Sequence, residues 1–191
     1  MTLEDAVEIV KVLEKEKVAA IHVTSGNVCL SSPWYYQHNF ILKGKTWEMS
    51  KKIKDNTSLP VIAVGQITEP ADVDKIMGEN YADFIALGRT LIADPDFVGK
   101  YLKIVDGRIR PCSSCLTGCL GRIKIGKGLQ CEINPEVGRE SEPFTKAEVK
   151  KNFAVVGGGL AGMEAAITLK NRGHNVTMYE KDKLGGQFNL A

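Results

Sequence analysis

Two spacings of apolar residues alternate along the first hundred positions. Leu3, Ala6, Val7, Val10 and Leu13 recur on one helical face, and Thr2 with Asp5 has the form of a capping box, so residues 2–17 read as a helix. Residues 18–23 form a short unbroken apolar run, which suits a strand buried on both faces. After a stretch from Ser25 to Lys45 with no clear period, read as a long loop, the alternation resumes. Residues 46–55 look helical, and 60–64 form a second buried strand ending at Gly65. Thr68 is placed to cap a helix with Pro70 in its first turn, running to about Gly78. Residues 82–87 form a third strand, ending at Gly88 and Arg89. Strands separated by helices at this spacing predict parallel βα units and an α/β fold.

The pattern breaks at Asp106. Residues 106–131 are rich in cysteine and glycine and have little period, and residues 134–150 are polar and read as connecting chain. It returns at residues 153–156, a strand followed by a glycine turn, a helix from about Leu160 to Asn171, and a strand at 176–179.

Composition narrows the class. The chain of 191 residues is 43% hydrophobic and 25% charged, as expected of a globular protein. Its net charge of +2 gives no reason to expect a nucleic-acid or membrane partner. No apolar run reaches the roughly 18 residues that span a bilayer, and the acidic, amphipathic N-terminus does not resemble a secretory signal. Four of the five cysteines fall between 112 and 131, a local cluster that points to metal or redox chemistry in a reducing, cytoplasmic setting.

Cys112, Cys115, Cys119 and Cys131 have the spacing C-x2-C-x3-C-x11-C. Thiolates are soft ligands for iron–sulfur clusters or zinc. Structural zinc favours two separated pairs of ligands. Three cysteines in one close run with a fourth apart fit a [4Fe–4S] cluster better; zinc, disulfides and unliganded thiols stay open as alternatives. Cys29 reads as an ordinary, partly buried thiol.

Gly157, Gly159 and Gly162 form G-x-G-x-x-G directly between an apolar strand and a helix, the context in which that pattern binds a dinucleotide. The first glycine permits the tight turn, the second the approach of a pyrophosphate, and the third helix–strand packing. Glu180, at the end of the next strand, is placed to accept hydrogen bonds from an adenosine ribose. Gly186 and Gln187 lie in a second glycine turn, equally readable as a flavin contact or as an ordinary loop. Gly65 and the pair Gly88 and Arg89 end consecutive strands, where (β/α)8 barrels often build a phosphate site. Taken by itself that last signal is weak, since glycine often ends a strand.

Together these segments resemble the old yellow enzyme-like NADH:flavin oxidoreductase family in its long, iron–sulfur form. That form includes 2,4-dienoyl-CoA reductase, trimethylamine dehydrogenase and the bile-acid-inducible enoate reductases. The resemblance rests on PVIAVGQITEPADV, ADFIALGRTLIADPDF, IRPCSSCLTGCLGRI, CEINPEVGRE, VVGGGLAGMEAA and HNVTMYEKDKLGGQF, which stand in the family's order. It implies the C-terminal part of a TIM (β/α)8 barrel at 1–105 and an iron–sulfur segment at 106–140. A linker at 141–151 and the start of a Rossmann-like FAD-binding domain at 152–191 would follow. FMN phosphate would sit at Gly65, Gln66, Gly88 and Arg89. A [4Fe–4S] cluster would bind Cys112, Cys115, Cys119 and Cys131. FAD, or ADP in its place, would bind Gly157, Gly159, Gly162, Glu180, Gly186 and Gln187.

In the family's reductases NAD(P)H reduces FAD, the cluster passes single electrons, and FMN delivers hydride to an activated C=C bond of a small unsaturated substrate, such as an acyl-CoA. Gln66 departs from the family, which often has Arg, Lys or Asn there. The family's catalytic tyrosine belongs to barrel not present in this sequence, and no catalytic residue is assigned. About three βα units are present where a barrel has eight. The expectation is therefore a fragment of an enoate or dienoyl-CoA reductase, inactive alone, with the missing barrel half supplied by a longer or complementary chain. An amine dehydrogenase fragment and a non-catalytic electron-transfer or metal-binding module are the alternatives.

Overall fold

The computed structural model describes residues 1–27, 32–142 and 145–190, with the backbone only at Ser32 and Pro33. It forms two units, Met1–Arg139 and Glu140–Ala191.

The first unit contains α1 (Leu3–Lys15), β1 (Ile21–Val23), α2 (Ser32–Tyr35), α3 (Lys45–Lys54), β2 (Val61–Ala63), α4 (Pro70–Gly78), β3 (Phe84–Ile85), α5 (Arg89–Ala93) and α6 (Phe97–Tyr101). Its three strands are parallel in the order β1-β2-β3, with Ile21 opposite Val61 and Ala63 opposite Ile85. Parallel neighbours require crossovers, and the stretches carrying α3 and α4 supply them. The strand in the middle is the most deeply buried: Val61 and Ala63 are both 0% exposed. Val7 and Val10 of α1, Trp47 and Ile53 of α3, and Val73 and Ile76 of α4 join the same apolar core. Burial on both faces explains the apolar run of β2, whereas the expectation fails at the flanking strands, where His22 of β1 and Phe84 of β3 are exposed.

The capping box expected at Thr2 is present: Asp5 N donates to Thr2 Oγ1 (3.2 Å) and Thr2 N donates to Asp5 Oδ2 (2.7 Å). At α4 the cap is Glu69 and not Thr68. The reason is Asp72, whose Oδ2 accepts from both Thr68 N (2.7 Å) and Glu69 N (3.0 Å), so the carboxylate organises the turn that the Thr68 hydroxyl was expected to organise. The third strand is shorter than its apolar run, but Asp83 N and Ala86 N still donate to Val61 O and Ala63 O (2.8 Å each) on either side of it. The long loop contains the short helix α2, which no periodicity announced. Cys29 lies outside the described residues.

The cysteine segment belongs to the first unit. It holds a single π-helical turn, Thr117–Gly121, and α7 (Arg122–Lys124). Asn134 and Val137 are buried, so the polar stretch that begins at 134 is not connecting chain throughout.

The second unit is β4 (Asn152–Val156), α8 (Leu160–Asn171), β5 (Asn175–Tyr179) and a 3₁₀ turn at Gly186–Leu190. The strands pair in parallel over five positions, from Asn152 with Asn175 to Val156 with Tyr179. His174 packs its ring on Phe153 (centroids 4.8 Å apart) and accepts from Lys151 N at Nδ1 (3.2 Å). Among the described residues no helix is long and apolar enough to cross a membrane.

Candidate functional sites

Gly65, Gln66, Gly88 and Arg89 line one cavity of about 340 Å³ at the ends of β2 and β3. Gly65 has φ +106° and no room for a side chain, since a Cβ would fall 2.5 Å from Gln37 Oε1. Its carbonyl accepts from Trp47 Nε1 at 2.6 Å, which fixes the turn. At Gly88 a Cβ would meet nothing within 4 Å, so the backbone there faces open space.

Gln66 sits at φ +48°, and its Nε2 donates away to His38 O (2.8 Å) and Ile41 O (3.4 Å). The Gln66 side chain therefore holds the long loop against the turn. Two buried side-chain atoms of this cavity's residues have no hydrogen-bond partner among the described residues: Gln66 Oε1 and Arg89 Nη1. A buried donor left without a partner is costly, and a guanidinium is the more costly of the two. Arg89 makes no ion pair with a carboxylate among the described residues. The chemistry it calls for is an anion.

All four predicted cysteines, each half-buried and with no disulfide, line a second, small cavity together with Arg89 and Ile92. Their convergence depends on the backbone at Gly118. Gln130 N donates to Gly118 O (2.9 Å), and a Cβ on Gly118 would lie 2.7 Å from Gln130 O and 3.1 Å from Cys131 Cα. The distant Cys131 is thereby laid directly on the close run. Ser114 (φ 53°) and Leu116 (φ 62°) supply the left-handed turns between the first three thiols. Burial pushes the Cys112 thiol up, the backbone at Ser114 and the charge of Arg89 pull it down, and Cys131 and Cys119 push it up again; the net direction is up. Among the described residues no three His, Cys, Asp or Glu side chains form a group that could hold a single metal ion.

Sequence reasoning missed what closes this segment. Asp94, 1% exposed, accepts from Arg110 N (2.9 Å) and pairs with Lys100 (2.8 Å). Asn134, 2% exposed, donates to Ile92 O (2.9 Å) and accepts from Arg110 Nη1 (3.0 Å) and Glu136 N (3.1 Å). Residues just before the first cysteine and just after the last are thus fastened to the chain around α5. The only sequence signal was the presence of both residues in quoted motifs, Asp94 in IADPDF and Asn134 in CEINPEV. Cys112 and Ser114 also line the larger cavity, a contact between distant segments that spacing could not reveal.

In the second unit Gly157 takes φ +102° and donates its N–H to Tyr179 O (2.8 Å). A Cβ on Gly162 would collide with the Gly157 carbonyl, while one on Gly159 would meet nothing within 4 Å. Glu180 folds onto the turn: its Oε2 accepts from Gly158 N (2.5 Å) and its Oε1 from Asp182 N (3.0 Å), and the Gly158 bond leads in holding its carboxyl below the usual range. Gly186 approaches Gly159, with a Cβ built on it 3.3 Å from the Gly159 Cα, whereas Gln187 is exposed.

Residues 2–106 match the NADH:flavin oxidoreductase / NADH oxidase family. The chain belongs to that family. Residues 155–189 match an NAD(P)-binding Rossmann-like domain. The chain is 43% identical over 194 residues to the NADH oxidase of Thermoanaerobacter brockii, covering 100% of this chain and 30% of that one. It is 35% identical to the cinnamate reductase of Clostridium sporogenes, covering 97% and 28%. Among solved structures, a 2-naphthoyl-CoA reductase complex superposes with a TM-score of 0.85 at 30% identity, covering 98% of this chain and 29% of that one. Histamine dehydrogenase from Rhizobium sp. 4-9 superposes with a TM-score of 0.81 at 27% identity, covering 96% and 27%. The chain thus spans about 30% of the length of the curated relatives it matches. The oxidoreductase family and the α/β fold stand on these matches.

Proposed function

We propose that the chain carries the cofactor-relay portion of an NAD(P)H-dependent flavin and iron–sulfur oxidoreductase that reduces activated C=C bonds of enoate or acyl-CoA type. The observation that carries this reading is the pairing of two cavities through shared walls: Arg89 and Cys112 line both the cavity at the strand ends and the cavity of the four cysteines. In this reading residues 1–105 are the C-terminal part of a TIM barrel, 106–140 hold the cluster, 141–151 link, and 152–191 open an FAD-binding domain. The rest of the barrel comes from a longer or complementary chain, and the setting is cytoplasmic.

Arg89 and the backbone of Gly65 and Gly88 would bind FMN phosphate. The buried, unpartnered Nη1 of Arg89 fits an anion there. Cys112, Cys115, Cys119 and Cys131 would hold a [4Fe–4S] cluster. Four thiolates on one zinc ion would stand roughly 3.8 Å apart, given a Zn–S bond of about 2.3 Å. Four thiolates that each bind a separate iron stand wider than that. Gly157, Gly159, Gly162 and Glu180 would bind FAD or ADP, with Gly186 and Gln187 beside them. When bound, the flavins carry electron pairs and the cluster single electrons. What the chain itself does is hold phosphates on fixed N–H groups and bring the thiols together at the wall of the flavin cavity.

The likeness to histamine dehydrogenase keeps an amine-oxidising branch as a second reading. The likeness to a cinnamate reductase and to a naphthoyl-CoA reductase favours the first. Anaerobic purification with metal analysis and an absorption spectrum is the test. About four irons per chain and a band near 400 nm bleached by dithionite are expected. Stoichiometric zinc in a colourless protein would overturn the reading.

A further inference from the structure

We propose that Lys124 selects the charge of the substrate: its ammonium, seated on the ring of Tyr36 in the wall of the cavity at the strand ends, favours a flat unsaturated molecule with an anionic end and turns away a cationic amine. This rests on the reading above and names the residue that divides its two branches.

The basis is a short run of aromatic residues. Trp34, Tyr35 and Tyr36 follow one another in the long loop, and all three line the cavity. Trp34 and Tyr35 leave much of their surface uncovered, and the rings of Tyr35 and Tyr36 meet edge to face with centroids 4.5 Å apart. Aromatic surface in a cavity wall suits a flat, conjugated body. The loop behind these rings is fastened at two points: Gln66 Nε2 donates to His38 O (2.8 Å), and Asn39 N donates to Ser114 O (3.1 Å). The second bond ties the loop to the cysteine segment, which runs on through the π-helical turn into α7. Lys124, the last residue of α7, returns to the loop, and its Nζ lies 4.9 Å from the centre of the Tyr36 ring.

That distance is within the reach of a cation–π contact. An aromatic face is also where a cationic ligand binds, and on Tyr36 a lysine of the chain itself already occupies one. Lys124 makes no ion pair with a carboxylate among the described residues, so its charge is not cancelled locally. Its neighbours in the chain add to it: residues 108–127 include Arg108, Arg110, Arg122, Lys124 and Lys127 and no Asp or Glu. No Asp or Glu stands among the described residues of the cavity wall either, whereas Arg89 does. In the reading above Arg89 is taken by the flavin phosphate. Lys124 is then the positive charge left on the aromatic side, where a carboxylate or phosphate meets opposite charge and an amine meets like charge. Exposed ion pairs contribute modestly and are screened by salt, so the expected preference is about fivefold.

The test is calorimetric binding to the oxidised holoprotein with no electron donor present, so that nothing turns over. The probes are cinnamate, its uncharged amide, the cationic cinnamylamine, and coenzyme A. Cinnamate is expected to bind about fivefold more tightly than the amide, and cinnamylamine more weakly than the amide. Added salt should shrink both differences. Lys124→Gln should abolish the preference for the acid and leave the amide unchanged, Lys124→Glu should reverse the order of acid and amine, and Lys124→Arg should keep the wild-type order. Lys124 is exposed, and melting curves check that the variants stay folded. A Lys124-dependent gain for cinnamate assigns the anion to a carboxylate, and one confined to coenzyme A assigns it to the phosphates of a thioester; both support the proposal. Absence of binding by either anion would overturn it, as would a preference that survives Lys124→Gln or falls equally in Lys127→Gln. In each of those cases the flavin and cluster reading stands. A holoprotein preparation with neither flavin nor iron would instead bring down that reading.

Discussion

The two units use the same β–α–β grammar with opposite results. In the first, β1 and β2 pair over only three residues, yet Val61 and Ala63 are fully buried and four helices, α1, α3, α4 and α6, contribute to one core. In the second, β4 and β5 pair over five residues, yet α8 buries none of its residues and Val156, Leu160, Ile167 and Tyr179 are all exposed. The longer hydrogen-bond ladder goes with the thinner core. A ladder fixes register, but its net contribution is modest because the unfolded chain bonds to water, and burial of apolar surface supplies most of the stability. The geometry of a dinucleotide turn can therefore be complete where the packing around it is not.

The strongest way to sharpen that contrast is a matched pair of truncations. Ile76 of α4 is 0% exposed, and Ile76→Ala is expected to destabilise the first unit by about 2–5 kcal/mol. Ile167 of α8 is 54% exposed, and Ile167→Ala is expected to change stability by no more than about 0.5 kcal/mol. Denaturant unfolding of both variants checks this, and equal losses would break the comparison. Native-state hydrogen exchange gives a second view: amides of β4 and β5 should exchange through openings of lower free energy than those of β2.

A smaller but more local effect is expected at Gly118. Gly118→Ala places a methyl 2.7 Å from Gln130 O, a backbone atom that cannot rotate away. The cost is about 1–3 kcal/mol, and the greater consequence is separation of Cys131 from the other thiols. Iron content after anaerobic reconstitution should fall well below that of the parent protein. Asn134→Leu removes the acceptor for Arg110 and Glu136 and the donor to Ile92, at a cost of about 1–3 kcal/mol. It should make iron easier to extract with chelator while leaving the apolar core intact, which a chelation time course alongside a melting curve would resolve.

Much of this organisation is legible from residues in a row. The buried middle strand β2 announces itself as an apolar run, and the glycine turn between β4 and α8 follows from a six-residue pattern whose steric reasons reappear in the structure: positive φ at Gly157 and no space at Gly162. The four cysteines line one small cavity. What was not legible depends on partners far apart in the chain. Asp72 displaces Thr68 as the organiser of a helix start, Gln66 turns its amide to a loop more than twenty residues earlier, and Asn134 reaches back to Ile92. Side chains of this kind are polar in the sequence and buried in the fold, and periodicity carries no information about them.

The smallest expected effects concern acid, and they separate the units once more. Asp94 and Glu180 both hold backbone N–H groups, but Asp94 is buried and Glu180 is partly exposed. Burial pushes the Asp94 carboxyl up, and the hydrogen bond from Lys100 with that from Arg110 N outweighs it, leaving the group below the ordinary aspartate range. Glu180 is lowered chiefly by the Gly158 N–H. A carboxyl whose folded pKa is depressed contributes stability that is fully present above its unfolded pKa and is lost as pH falls through the folded value. Both contributions should therefore be intact near neutrality and disappear only below the ordinary carboxylate range. Asp94→Asn should flatten the acid limb of the first unit's stability curve, because the buried charge no longer has to be discharged. Glu180→Gln should leave the second unit's curve nearly unchanged, because water already screens that group. Unfolding midpoints measured from neutral pH down into the acid range, with a probe in each unit, test the pair. A larger response at Glu180 than at Asp94 would mean that the turn in the second unit is held more by its carboxylate than by its ladder.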